Sequence, residues 1–180
     1  MKFWFIITIL CLTIGGYAIS PGCIDSITFE LGKGNLSEEE LVQVLLELSF
    51  ENQHEPAKAI NYGQSVIKIA QKNGMQQQLA YAHGYVGLAE LRLGNHLHSI
   101  EHFIESANLF RELQMYKEEG YALGSIGAAF QYQDDLSNAI KYYQQCLHLF
   151  EQANDTFFVA NSLLNIGEAY RVFDVADSAE

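Results

Sequence analysis

The feature that most constrains this sequence is an internal repeat with a fixed spacing of 40 residues. Residues 87–110 align without a gap on residues 127–150, and the same spacing carries Gly127 to Gly167. Three full units and a fragment therefore fit in the chain. Because a single unit of this kind cannot bury its own hydrophobic face, neighbouring units must stack to supply the core.

Each unit carries two apolar stripes at helical spacing. The first helices contribute Val86, Ala89, Leu93, Ile126, Ala129 and Gln133, and the second helices contribute Ile100, Phe103, Ala107, Phe110, Ile140, Tyr143, Leu147 and Phe150. Polar turns at 93–95 and 133–135 supply the Gly, Asn and Asp residues that end one helix and cap the next. With only 2 Pro in 180 residues, the chain is predicted to be all-α.

Small residues recur at one place in the first helices of the last three units, at Gly87, Gly127 and Gly167. Two antiparallel helices approach closely only where the side chains between them are short. We therefore expect a Leu at Gly127 to force its helix pair apart.

This pattern resembles the tetratricopeptide repeat (TPR). The matching positions are Gly87, Gly127 and Gly167, the aromatic residues Phe50, Phe130 and Tyr170, and the small residues Ala59, Ser99, Ala139 and Ala179. The resemblance implies a TPR-like α-solenoid of antiparallel helix pairs, wound as a right-handed superhelix. The sequence departs from the family pattern at Glu47, where the Gly belongs, and in its period, which is 40 residues instead of about 34.

The sequence predicts three regions. They are a signal peptide or membrane anchor (1–18), a linker (19–36) and a TPR array (37–180) with units at 40–79, 80–119, 120–159 and 160–180, the last one partial. Ser37 and Glu40 are spaced to form a capping box, with Leu36 and Leu41 placed as a hydrophobic staple. Leu163, Ile166 and Tyr170 should face a further helix, so we expect a truncated product or the N-terminal piece of a longer chain.

The first 18 residues indicate export. An apolar stretch at 3–12 precedes the small residues Gly15, Gly16 and Ala18, as in a secretory signal. An uncleaved anchor is the alternative, because residues 3–19 are about as long as the shortest membrane-spanning helices. Either interpretation predicts a periplasmic or other extracytoplasmic location. Cys23 and Cys146 are not expected to form a disulfide there.

The resemblance also implies a peptide-binding groove along the first helix of each unit. When the groove positions of the family are transferred to this sequence, the residues expected to line the groove are Tyr81, Tyr85, Leu88, Arg92, Tyr121, Ser125, Tyr132, Asn161, Asn165 and Arg171. Tyr side chains and polar amides suit recognition of an extended peptide, although such Tyr residues can also serve helix packing alone. The carboxylate clamp of the chaperone-binding members has one clear match, Asn165.

Other classes of function are disfavoured by composition and motif. A net charge of −12 with scattered Lys and Arg argues against nucleic-acid binding. The sequence contains no phosphate loop, dinucleotide fingerprint or nucleophile elbow, and no cofactor or metal is expected. The alternative is an exported metal-dependent enzyme that uses the cluster of His96, His98 and His102.

The sequence therefore predicts a non-catalytic scaffold that binds a protein or peptide. Its combination of export signal and 40-residue units looks like the sensory N-terminal region of bacterial sensor histidine kinases and diguanylate cyclases. Membrane association is expected only through the N-terminal segment or through a missing C-terminal part.

Overall fold

The computed structural model describes residues 37–177, with side chains as far as residue 172, and this range contains seven α-helices and no strand. The helices are α1 (Glu38–Glu51), α2 (Pro56–Asn73), α3 (Gln76–Arg92), α4 (His96–Glu112), α5 (Tyr116–Gln131), α6 (Leu136–Gln152) and α7 (Thr156–Asp177). A short 3₁₀ helix, Asn52–His54, follows α1. The all-α prediction is confirmed. The predicted signal and linker, the staple residue Leu36, Cys23 and Ala179 lie outside the described residues.

The start of α1 carries the capping box that the sequence predicted. The backbone N–H of Ser37 donates to Glu40 Oε2 at 2.8 Å, and the backbone N–H of Glu40 donates to Ser37 Oγ at 3.2 Å. These reciprocal bonds satisfy two backbone donors that a helix start otherwise leaves unpaired. The packing described below concerns residues 42–172.

The helices from α2 to α7 are joined by turns of one geometry. A residue in the left-handed region ends each helix and recurs every 20 positions, at Gly74, Gly94, Gln114, Asp134 and Asn154. The N–H of the following residue then returns to a carbonyl five positions back, as from Met115 to Phe110 at 2.9 Å and from Asp155 to Phe150 at 3.0 Å. This is the 6→1 bond of a Schellman motif. Each 40-residue unit is therefore two helix-and-turn modules of 20 residues.

From α2 to α7, helices that follow one another in sequence pack together. A Cβ built at Gly87 would lie 2.9 Å from the ring of Phe103, and one built at Gly127 would lie 2.7 Å from the ring of Tyr143. The close approach predicted at these two glycines is confirmed. At the equivalent Gly167, no described atom lies within 4 Å of that position.

Most residues of the predicted stripes lie in the core. Val86, Phe103 and Phe150 are among the buried side chains. The predicted burial is wrong for the last residue of each first-helix stripe, because Leu93 is 49% exposed and Gln133 is also exposed. Both lie beyond the last residue of α3 or α5, in the turn where the chain leaves the helix packing surface.

Two further features bear on the sequence analysis. Cys146 is a buried free thiol, as expected, and burial raises its pKa. None of the helices within residues 37–177 is long and apolar enough to cross a bilayer.

The glycine contact can be tested with one substitution at two equivalent positions. We expect Gly127→Leu to lower the free energy of unfolding by about 3 kcal/mol, because the new side chain collides with Tyr143 and with the carbonyl of Ala139. Gly167→Leu should instead leave stability unchanged or raise it by up to about 1 kcal/mol through helix propensity. Urea unfolding followed by circular dichroism measures both, and equal effects at the two sites would contradict the packing role.

Candidate functional site

An open cleft lies where α1, α3 and α5 expose their aromatic residues, with α4 behind them. It has a volume of about 460 Å³. We call it the aromatic cleft, and its walls are Phe50, Tyr81, Gly84, Tyr85, Leu88, Phe103, Ser106, Glu118, Tyr121, Ala122 and Ser125. Small residues leave the space open, and aromatic and aliphatic side chains surround it.

A second cleft of about 340 Å³ adjoins the first along α1 and α3. We call it the glutamine cleft, and it is lined by Gln43, Leu46, Glu47, Phe50, Gln77, Gln78, Tyr81 and Tyr85. Phe50, Tyr81 and Tyr85 are walls of both clefts. The two clefts are therefore neighbouring parts of one groove.

The tyrosines of the groove are held by aromatic rings behind them. The Tyr81 ring meets Phe110 edge-on at a centroid distance of 5.0 Å, and the equivalent Tyr121 meets Phe150 edge-on at 5.3 Å. Tyr85 packs against Phe50 at 5.3 Å. Each ring thus packs against a neighbouring helix on one side and lines the groove on the other. The two interpretations that the sequence left open, groove lining and helix packing, therefore both apply to these tyrosines.

The phenol groups of the groove are electrically neutral at ordinary pH. Burial raises the pKa of Tyr81, and the nearby carboxylate of Glu118 raises it as well, against a lowering effect of Gln77. Burial likewise raises the pKa of Tyr85 and of Tyr121. Neutral phenols both donate and accept hydrogen bonds, so they can pair with the main chain of a bound segment.

The structure brings five of the ten predicted groove residues into the aromatic cleft. They are Tyr81, Tyr85, Leu88, Tyr121 and Ser125. Tyr132 and Asn165 instead line a separate cleft of about 440 Å³ together with Tyr143.

The other three predicted groove residues, Arg92, Asn161 and Arg171, are exposed and line none of these clefts. Arg171 donates to Glu168 on its own helix at 2.6 and 2.9 Å, and Asn161 accepts from Asn165 at 3.2 Å. The predicted set is therefore divided between different surfaces.

Sequence reasoning did not place Phe50, Gly84 or Glu118 in the groove. In the sequence, Phe50 matches only a family aromatic position. In the structure it is 58% exposed, which sets it apart from a core residue. Glu118 had no periodic signal, because the residues 40 positions away are Gln78 and Phe158.

The three histidines of the metal hypothesis do not come together. The ring of His96 stacks on Tyr132 at 5.9 Å, His98 is exposed, and His102 points to His83 of α3. Across residues 37–172, no group of three or more His, Cys, Asp or Glu side chains is arranged to hold a metal ion.

His83 and His102 form a pair that the sequence did not reveal. Their Nδ1 atoms lie 3.0 Å apart between α3 and α4, so one ring must donate and the other must accept. Burial, together with the neighbouring His102, lowers the pKa of His83 from 6.5 to about 4. Burial also lowers the pKa of His102, against the raising effect of Glu90, Glu101 and Glu105.

This pair predicts a dependence of stability on pH. Because the pKa of His83 is about 4 in the folded chain and 6.5 in its ordinary state, the unfolded chain binds the proton first as pH falls. The free energy of unfolding should therefore decrease from pH 6.5 to pH 4. We expect His83→Gln, which keeps a polar side chain that does not titrate, to make this decrease shallower. Equal slopes for the two proteins in urea titrations would exclude the pair as its source.

Comparison with solved structures identifies the architecture. The chain is similar to aspartyl phosphate phosphatase F from Bacillus subtilis, with a TM-score of 0.74 and 16% identity over 87% of this chain and 43% of that one. It is similar to BtubC from P. vanneervenii, with a TM-score of 0.69 and 14% identity over 75% and 57%. The TPR domain of Arabidopsis FLU gives a TM-score of 0.58 and 20% identity over 64% and 99%.

This chain has a TPR-like helical repeat fold. At identities of 14–20%, the likeness concerns the fold alone. The chain spans 57% of BtubC and 42% of RapI, two of the structures it matches. No protein-family model and no curated protein matches the sequence.

Proposed function

We propose that this chain is a non-catalytic scaffold that binds a protein or peptide segment in the groove formed by the aromatic cleft and the glutamine cleft. The observation that carries the proposal is the convergence of Tyr81, Tyr85 and Tyr121 with Leu88 and Ser125 around one open cleft. Aromatic rings fixed from behind present contact area at low entropic cost.

The shape of the groove supports a peptide more than a small molecule. It is open to solvent and extends over the first helices of three successive units, from Leu46 in α1 to Ser125 in α5. An extended segment can place alternate side chains in such clefts while its main chain bonds to the phenol and amide groups beside them. This chain is similar in fold to TPR-like structures, and this likeness favours a peptide-binding role.

A library experiment tests the site. Random 12-residue peptides are selected for binding to the wild-type chain, and the selected peptides are titrated by calorimetry. Ser125→Trp should fill the aromatic cleft and weaken binding at least about tenfold, since it removes the space without changing charge. Asn161→Trp is the matched control, because Asn161 is exposed and lies outside both clefts. Equal binding by Ser125→Trp and wild type would place the site elsewhere.

We also propose that the chain is exported and forms the sensory N-terminal region of a larger signal-transduction protein, of the sensor histidine kinase or diguanylate cyclase kind. The support is the apolar segment at 3–12 with Gly15, Gly16 and Ala18 after it, together with the 40-residue units. Both features come from the sequence.

Export can be tested with a fusion to an alkaline phosphatase that is active only outside the bacterial cytoplasm. We expect activity from the full fusion, because residues 1–18 should direct it across the membrane. Deletion of residues 2–18 should abolish this activity while the fusion protein still accumulates. Activity that persists after the deletion would contradict an export signal in this segment.

A further inference from the structure

The charged residues that line the groove are acidic. Among the described residues of its walls, Glu47 and Glu118 carry charge, and the walls include no Lys or Arg. Both carboxylates are half-buried. They face a space otherwise bounded by aromatic, aliphatic, small and amide side chains.

Neither carboxylate is neutralised within residues 37–172. Glu118 lies near the phenol of Tyr81, and Glu47 accepts a hydrogen bond from Gln43 Nε2 at 3.1 Å. These partners are uncharged, so the negative charge at the groove remains.

The two cations nearest in sequence to Glu118 pair with other carboxylates, and one of them, Lys117, also lies near the phenol of the groove residue Tyr121. Lys117 Nζ lies 2.7 Å from Asp155 Oδ2 and 5.3 Å from the centroid of the Phe158 ring. Arg111 Nε lies 2.7 Å from Oε1 of Glu119, which is only 4% exposed. These two cations thus pair with other carboxylates and leave those of the groove available.

The aromatic walls suit the same kind of partner. Phe50, Tyr81, Tyr85 and Tyr121 line the groove, and the faces of such rings attract ammonium and guanidinium groups. The aliphatic part of a Lys or Arg side chain can lie on apolar walls while its charged end reaches a carboxylate.

We propose that the occupant of the groove is a basic, apolar peptide segment, with Lys or Arg residues next to bulky residues such as Leu or Phe. This inference rests on the proposed function and adds the chemistry of the partner. The net charge of −12 acts in the same direction, because it attracts basic segments and repels acidic ones over a longer range.

Three acetylated and amidated 12-residue peptides test the proposal. They share their Leu and Phe positions and carry Lys, Ser or Glu at all the others. Fluorescence anisotropy measures their binding at about 50 mM and about 300 mM NaCl, a range over which exposed charges become strongly screened. We expect the Lys peptide to bind at least about tenfold more tightly than the Glu peptide at low salt, and this difference to shrink at high salt.

Two variants of equal charge separate the groove from the general acidity of the chain. Glu118→Gln removes the charge at the groove but keeps an oxygen that can accept from Tyr81. Glu151→Gln removes one charge from an exposed position on α6 that is not a groove wall. We expect about fivefold weaker binding of the Lys peptide by Glu118→Gln, no change for the Ser peptide, and less than about twofold change by Glu151→Gln.

The outcomes distinguish this inference from the proposed function. Equal binding of the Lys and Glu peptides, or equal effects of Glu118→Gln and Glu151→Gln, would overturn the basic partner. The scaffold would still stand if Ser125→Trp reduces binding of the library peptides. A library whose selected peptides bind the wild type but are acidic or uncharged would also overturn the basic partner. If no library peptide binds, the proposed function itself fails.

Discussion

The structure depends on the close contact between a glycine of one helix and an aromatic ring of the next. Phe103 lies against Gly87 and Tyr143 lies against Gly127, at distances that leave no room for a Cβ. The ring fills the space that the glycine leaves, so the two helices approach closely and bury their apolar stripes together. Since the turns from α2 to α7 all have one geometry, these contacts fix which faces meet.

The groove is a consequence of the same repetition. Tyr81 and Tyr121 occupy equivalent positions in α3 and α5, and each meets the equivalent ring of the following helix, Phe110 or Phe150. Stacking the units therefore places a row of tyrosines along one side of the array. Glu118 interrupts this regularity, because no acidic residue occupies the equivalent position in α3 or α7. Tyr81 and Tyr121 come from the repeat, whereas the rings of Phe50 and Tyr85 and the charge of Glu118 each line the groove in one unit only.

The sequence predicted those parts of the structure that repeat. Helix type and the glycine contacts follow from residues that recur every 40 positions, whereas the five predicted residues that line the aromatic cleft follow from the TPR resemblance. The pair of His83 and His102 could not be predicted in this way, because the residues 40 positions on are Leu123 and Tyr142. The 40-residue register also failed at the end of α3, where Leu93 leaves the packing surface. The positions transferred from the family placed Arg92 and Arg171 in a groove that they do not line. Side-chain direction at these positions depends on local partners such as Glu168.

The packing of sequence neighbours against one another has a consequence for how the array responds to a ligand. The helices α3 and α5 contact each other far less than either contacts α4 between them. In such a linear array each unit packs mainly against its neighbours in the chain, so units that are not neighbours can open independently. A segment lying across Leu46, Tyr85 and Tyr121 would touch three units at once. A bound segment would then make the opening of one unit depend on a unit that it does not otherwise contact. The three units would open cooperatively.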